Sequence, residues 1–417
     1  MRIAALVFAL LIAPVAAWGQ APPVAVPAGL ETEAESLARD AAEYARQFGV
    51  SQDEASARLG AQDASVAATD AIAETYRDRL AGIAIEHRPD YRIVVYLTGS
   101  DAVPDQTLTT DAKTVPIVFR TGAKVTRERV IWAMTYHQAA IRAALRAPPG
   151  MGLDPRTGEL VVIIGNLDAA DGTAVLKARL EAIAGAPVQI RVLNHVDVNL
   201  APGARPEGGA RVEGISPDDR KRYLCTTGFN VTDGVRSAIT TAAHCLDQLS
   251  YRDPQGASVP LAFVGQWGWG YHDVQINTAP APLAPTFYAD TAKTRLRAVT
   301  GQRSRTSTRA GDFVCHRGER TGYSCAEVQL TDFAPAGDLC GGPCLPTWVT
   351  VAGPTCKAGD SGSPVFTGTT ALGILKGASY RSDGSCAFYF YMSLDYLPQG
   401  WSVLRVDPSL ALTAAPL

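Results

Sequence analysis

The chain has 417 residues, 19% of them Asp, Glu, Lys or Arg, and a formal net charge of −3. That length permits two or three domains. The small, mixed charge excludes a basic nucleic-acid binder and an acidic solvating tail.

Residues 1–19 read as a secretory signal. Arg2 supplies the positive start, and Ile3 to Ala13 form an apolar run ended by Pro14. Ala17-Trp18-Gly19 places small residues at the −3 and −1 sites before Gln20. The run is too short to span a bilayer, and no later stretch reaches about 18 apolar residues. A secreted protein, extracellular or periplasmic, is expected.

Residues 31–82 are rich in Ala, Glu, Arg and Leu and lack Pro, which predicts helices. Gly49 ends one helix, and Ser51 with Glu54 is a capping-box signature for the next. Tyr91 to Leu97 and Pro116 to Phe119 predict strands. Thr126 to Arg146 predicts a helix stopped by Pro148-Pro149-Gly150. Glu159 to Ile164 predicts a strand, Gly172 to Ala184 a helix and Val188 to Leu193 a strand. These units suggest α+β lobes with helices packed on a sheet. Residues 201–212 are rich in Pro and Gly and read as an exposed linker, the kind of segment where nicking concentrates. Short strands and Gly-rich turns follow: Leu261 to Val264, Ala298 to Thr300, Trp348 to Ala352, Ala371 to Leu375 and Ala387 to Met392. They indicate a sandwich or barrel. The expected fold is therefore multi-domain: an α+β unit over 20–208, then an all-β unit over 209–417.

All eight cysteines fall in the second unit: Cys225, Cys245, Cys315, Cys325, Cys340, Cys344, Cys356 and Cys386. An even count in an exported chain implies disulfides, although eight cysteines allow 105 pairings. Cys340 and Cys344 could be half a zinc site, but no second close Cys or His pair completes a tetrahedral set. No metal or cofactor is expected.

Two segments carry chemistry. One is Gly359-Asp360-Ser361-Gly362-Ser363-Pro364, and the other, upstream, is Thr241-Ala242-Ala243-His244-Cys245. Alone, the first reads as a Gly/Ser turn. Together they describe a nucleophile and its base, since serine attacks poorly until a neighbour removes its proton. The order His then Ser is that of the chymotrypsin-type arrangement. The α/β-hydrolase elbow is excluded: Ser363 stands where that motif needs Gly, and the last histidine, His316, precedes Ser361. The flanking glycines let the backbone turn tightly, so the amides of Gly359 and Ser361 could face a developing oxyanion. Of the six histidines, only His244 ends an apolar strand and adjoins a cysteine. His87, His137 and His195 read as structural or solvent-facing, and His272 as a neighbour of the acid. Eight aspartates lie between His244 and Ser361. Asp273 precedes an alternating run, Val274-Gln-Ile276-Asn, and is the candidate that orients the histidine.

At these residues the chain resembles the streptogrisin/α-lytic protease family of bacterial chymotrypsin-like serine proteases. The resemblance rests on Cys225-Thr-Thr-Gly-Phe-Asn-Val231, Thr240-Thr-Ala-Ala-His244-Cys245, Cys315-His-Arg-Gly-Glu-Arg-Thr-Gly-Tyr-Ser-Cys325, Cys356-Lys-Ala-Gly-Asp-Ser361 and Ala371-Leu-Gly-Ile-Leu-Lys-Gly377. It covers about residues 209–400. It implies two six-stranded barrels with the catalytic residues in the cleft between them. It also implies the pairings Cys225–Cys245, Cys315–Cys325 and Cys356–Cys386, which leave Cys340–Cys344. Arg211-Val-Glu-Gly-Ile215 is similar to the family's mature N-terminus. The first half is similar to the family's pro-region, which assists folding and inhibits until cleaved; Phe48-Gly-Val-Ser-Gln-Asp-Glu-Ala55 and Asp154-Pro-Arg-Thr-Gly-Glu-Leu-Val161 carry that likeness.

By the same resemblance Pro354, Thr355, Gly377, Ala378 and Phe390 border the substrate pocket. None is acidic, which argues against a preference for Lys or Arg and leaves an apolar or aromatic one. Two positions depart from the family. Lys376 stands where a serine is usual. His316 stands where a base usually pairs with Asp360, and it is expected to be the switchable partner of that aspartate, with a raised pKa. The reading is a secreted serine endopeptidase made as a pro-enzyme. It would cleave protein or peptide substrates through an acyl-enzyme, with its own pro-region as partner, and act as a monomer after maturation. Two alternatives stay open: a non-catalytic binding protein on the same fold, and a first half that is a permanent domain.

Overall fold

The computed structural model describes residues 30–406, apart from 147, 170–171, 194–197, 200–205, 255, 281 and 354. The signal read at residues 1–19 lies outside them, and among the described residues no helix is long and apolar enough to cross a membrane.

Helices open the first half: Glu33–Phe48, Gln52–Ala64 and Val66–Thr75. Thr32 and Glu35 make a complete capping box for the first, and Gly49 closes it. Ser51 caps the second through the Glu54 amide. The Glu54 carboxylate does not return the bond; it pairs with Arg58 and Lys113 instead. The helical run ends before residue 82. Leu80–Glu86 is a strand, paired antiparallel to Arg92–Thr98, because its apolar run is buried at all but the last position. Thr114–Ala123 and Gln106–Thr109 complete a four-stranded sheet.

The helix expected over 126–146 is two helices, Arg127–Tyr136 and Gln138–Ala143, with His137 between them. The Pro-Pro-Gly stop runs straight into a strand, Gly150–Asp154. That strand pairs with Glu159–Ile164, which pairs with Val188–Val192. It also pairs across the molecule with Gly322–Ala334. These three strands and Val198–Asn199, four from the first half, extend a sheet of the second to eleven strands.

From Arg211 onward the described chain is strands, turns and two short 3-10 turns. A five-stranded sheet runs in the order Ala262–Trp267, Val274–Thr278, Ser237–Thr241, Asn230–Thr232 and Ser402–Val403. The eleven-stranded sheet holds Pro364–Thr367, Thr370–Tyr380, Cys386–Ser393 and Trp348–Ala352.

The two halves share one core. Tyr44 and Phe48 pack on Phe313, with the Tyr44 and Phe313 rings 5.1 Å apart. His87 is buried there, bonded to Tyr44 Oη at 2.7 Å and to the Gly311 carbonyl at 2.6 Å. Arginines of the second half meet carboxylates of the first. Arg297, fully buried, contacts Glu31 at 3.0 Å and Asp40 at 3.1 Å. Arg303 pairs with Asp63 and with Asp312, and Arg309 with Asp70.

The expected exposed linker is corrected where it can be seen. Residues 206–212 are buried or half-buried, and Arg211–Ile215 is a strand. Gly208 passes so close to its neighbours that a Cβ there would lie 2.3 Å from the Gly228 carbonyl oxygen and 2.7 Å from Phe287 Cβ. Glycine here serves close approach of two backbones rather than mobility.

Candidate active site

The strand Ser237–Thr241 delivers His244 three residues beyond its end, and the Cys225–Cys245 disulfide ties down the next residue. The segment entering Val274–Thr278 delivers Asp273. These two strands pair directly, with Thr241 opposite Gln275. Pairing therefore brings the two side chains to one end of a sheet. Ser361 comes from the eleven-stranded sheet, just before Pro364–Thr367.

The three side chains form one line of hydrogen bonds. Asp273 Oδ2 accepts from His244 Nδ1 at 2.8 Å. His244 Nε2 lies 2.9 Å from Ser361 Oγ. Asp273 Oδ1 also accepts the His244 backbone amide at 3.2 Å. Asp273 is 1% exposed. Burial alone would raise its pKa, but the His244 and Lys376 charges and hydrogen bonds outweigh it and hold the carboxyl at about 2. Asp247, the competing acid closest in sequence, is exposed.

Lys376 completes the surroundings of the acid. Its Nζ is 3.3 Å from Asp273 Oδ2 and its side chain is 1% exposed. Its backbone carbonyl accepts from Ser361 Oγ at 3.1 Å.

The loop before Ser361 is held by Asp360, which is fully buried. Its Oδ1 accepts the amides of Arg320 and Thr321 at 2.9 and 3.1 Å. Its Oδ2 accepts Thr321 Oγ1 and the Lys357 amide, both at 2.8 Å. Gly362 has φ 87°, and a Cβ there would fall 2.1 Å from the Thr226 carbonyl oxygen. Gly359 has φ 103°. The amides of Gly359 and Ser361 take no acceptor among the described residues.

His316 corrects an expectation. It reaches Asp360 only through Thr321, whose hydroxyl lies 3.3 Å from His316 Nε2. Burial lowers its pKa to about 4 despite the Asp360 charge. The reason is geometric: four donors already satisfy Asp360, three of them backbone amides, so the carboxylate needs no cation. The missed residue is Thr321. The only available signal was its place in the hairpin between Cys315 and Cys325.

Of the pocket residues, Gly377 and Ala378 are buried in Thr370–Tyr380, with Gly377 opposite Phe390. Thr355 is exposed. Pro354 lies outside the described residues. The short strand Val198–Asn199 pairs antiparallel with Ala378 and Gly377. Three disulfides have the pairings that the resemblance implied, and the fourth joins Cys340 and Cys344, the pair those three leave. Cys340 and Cys344 are thus bonded to each other and are not zinc ligands.

The chain is 26% identical over 181 residues to streptogrisin-C of Streptomyces griseus, covering 40% of this chain and 35% of that protein. It thus spans about a third of the length of this curated relative. Whole-sequence comparison accordingly finds the likeness to streptogrisin-type proteases that the motifs carry. No protein-family model matches the chain. Similar solved structures include Thermobifida fusca Protease A, at 20% identity and TM-score 0.37, covering 48% of this chain and 98% of that one. Nocardiopsis protease is similar at 19% identity and TM-score 0.38, with coverage of 48% and 98%. A glutamic-acid-specific serine protease that uses a histidine triad in substrate binding is similar at 22% identity and TM-score 0.37, with coverage of 46% and 94%.

Proposed function

We propose that this chain is an exported serine endopeptidase made as a pro-enzyme. The observation that carries the reading is the unbroken hydrogen-bonded line from Asp273 through His244 to Ser361. In such a line Ser361 Oγ attacks the peptide carbonyl and His244 Nε2 takes its proton. Asp273 fixes the tautomer with the proton on Nδ1 and stabilises the imidazolium that forms. The amides of Gly359 and Ser361 receive the oxyanion. His244 then protonates the leaving amine, and water releases the acyl group by the same steps in reverse. Substrates would be peptides lying extended along Gly377 and Ala378.

The pro-region reading has its own support. Residues 20–208 would be the pro-region and 209–417 the protease. Val198–Asn199 occupies the strand edge that a substrate would use. A first half that also shares a core and a sheet with the second could template its folding and cover its cleft. Four disulfides support an oxidising destination.

The test is an active-site titrant. In protein matured by removal of residues 20–208, a fluorophosphonate should attach to Ser361 with 1:1 stoichiometry, and an ester substrate should give a burst of the same size. Peptide mapping that finds no adduct at Ser361 in the folded, matured protein would favour a non-catalytic binding protein.

A further inference from the structure

We infer that Lys376 is a positioning residue whose buried ammonium neutralises Asp273 at rest and lets the site work at more acidic pH than it would without the lysine. The inference rests on the protease reading above.

A buried carboxylate needs a partner, since an isolated charge out of water is costly. In a line of Asp, His and Ser the resting imidazole is neutral and leaves the carboxylate charge unmatched. Here Lys376 Nζ sits 3.3 Å from Oδ2, the same oxygen that accepts His244 Nδ1. The ammonium also lies over the Trp348 ring, 5.3 Å from the centroid. A lysine 1% exposed has here both a carboxylate to pair with and an indole face beside it.

Few titratable groups face this point. His244 comes from the loop after Ser237–Thr241, and Lys376 from Thr370–Tyr380. Trp348 comes from Trp348–Ala352, and Met392 from Cys386–Ser393, with its sulfur accepting the Asp273 amide at 3.2 Å. His272, next to the acid, packs on Tyr271 with ring centroids 4.1 Å apart, and burial holds it below its usual range. None of these offers another counter-charge.

Protonating His244 from solvent would therefore set a second cation on a carboxylate that is already matched. A like charge nearby disfavours the charged form of a base. The lysine thus opposes the inactivating protonation and moves the acidic limb of activity downward.

The experiment compares the pH dependence of fluorophosphonate labelling in the wild type and in Lys376→Met, Lys376→Gln and Lys376→Arg. The neutral variants should move the acidic limb up by about one pH unit, roughly tenfold in rate on that limb. Lys376→Arg should hold it near the wild-type position. A limb that stays put in a folded neutral variant overturns the inference while labelling itself still supports the protease reading. A wild type matured by removal of residues 20–208 that never labels overturns both. Should the neutral variants not fold, nitrogen NMR of the wild type decides. A solvent-protected lysine ammonium at about pH 6 supports the inference, and its absence overturns it.

Discussion

Ser361 shares its hydroxyl between His244 Nε2 and the Lys376 carbonyl, so the side chain is aimed before any substrate arrives. Ser361→Ala should abolish turnover, a loss of about 10⁴ to 10⁶ in rate, with the fold intact by circular dichroism. Asp273→Ala should cost far more activity than Asp247→Ala, since only Asp273 touches His244; the opposite ranking in kcat/KM would move the acid. His316 gives a prediction in pH. Burial lowers its folded value to about 4, against about 6.5 unfolded. The unfolded chain then binds the extra proton between those values. His316 stabilises the fold fully above about 6.5, and that contribution is lost as pH falls toward about 4. Melting temperature should drop over this window, and less steeply in His316→Gln. A wild-type loss confined to alkaline pH would restore the charged-partner idea.

At the scale of elements, the ion pairs between halves set the strongest demand. Arg297→Met would leave Asp40 buried without its cation, whereas Glu31 would keep Arg39. Removing one partner of a buried pair costs about 3–5 kcal/mol. Urea unfolding of the full chain should show a loss of that size, and a change below about 1 kcal/mol would mean that water reaches the site. Elements were legible in the sequence where local rules act alone. Thr32, Gly49 and Ser51 bound helices by capping, which needs no distant partner. Leu80–Glu86 and Gly150–Asp154 were not legible as strands. The first followed a helical stretch, and the second began at a Pro-Pro-Gly stop. Each becomes a strand because of what it pairs with, and Gly150–Asp154 pairs with residues far along the chain.

For the whole molecule, many contacts are distant in sequence. Val231 pairs with Val403, and Thr331 with Leu153. Such pairings fold slowly, because loop closure precedes the contacts that reward it. Residues 209–417 expressed alone should therefore yield little active protein. Residues 20–208 added as a separate chain should restore folding and then inhibit the product. Efficient refolding of the second half alone, with no inhibition by the first, would favour a permanent domain. His87 adds a pH sign to this contact. Burial holds it at about 4, so its neutral form stabilises the joined halves above about 6.5 and that stabilisation fades toward about 4. Inhibition by the added first half should weaken over the same window, read as a rising inhibition constant.

Sequence by itself picked out the residues proposed to carry the chemistry. A serine between glycines, a histidine beside a cysteine and an aspartate before an alternating run are local patterns, and the structure brings those three side chains into one hydrogen-bonded line. Disulfide pairing came from resemblance rather than from spacing. Only the tertiary structure decided how His316, Lys376 and residues 206–212 behave. Each depends on what distant backbone supplies: three amides and a hydroxyl that satisfy Asp360, an indole face and a carboxylate around Lys376, and the Gly228 and Phe287 surface against Gly208. Burial, charge pairing and close approach are properties of the folded surroundings, and a residue's own neighbours in sequence do not encode them.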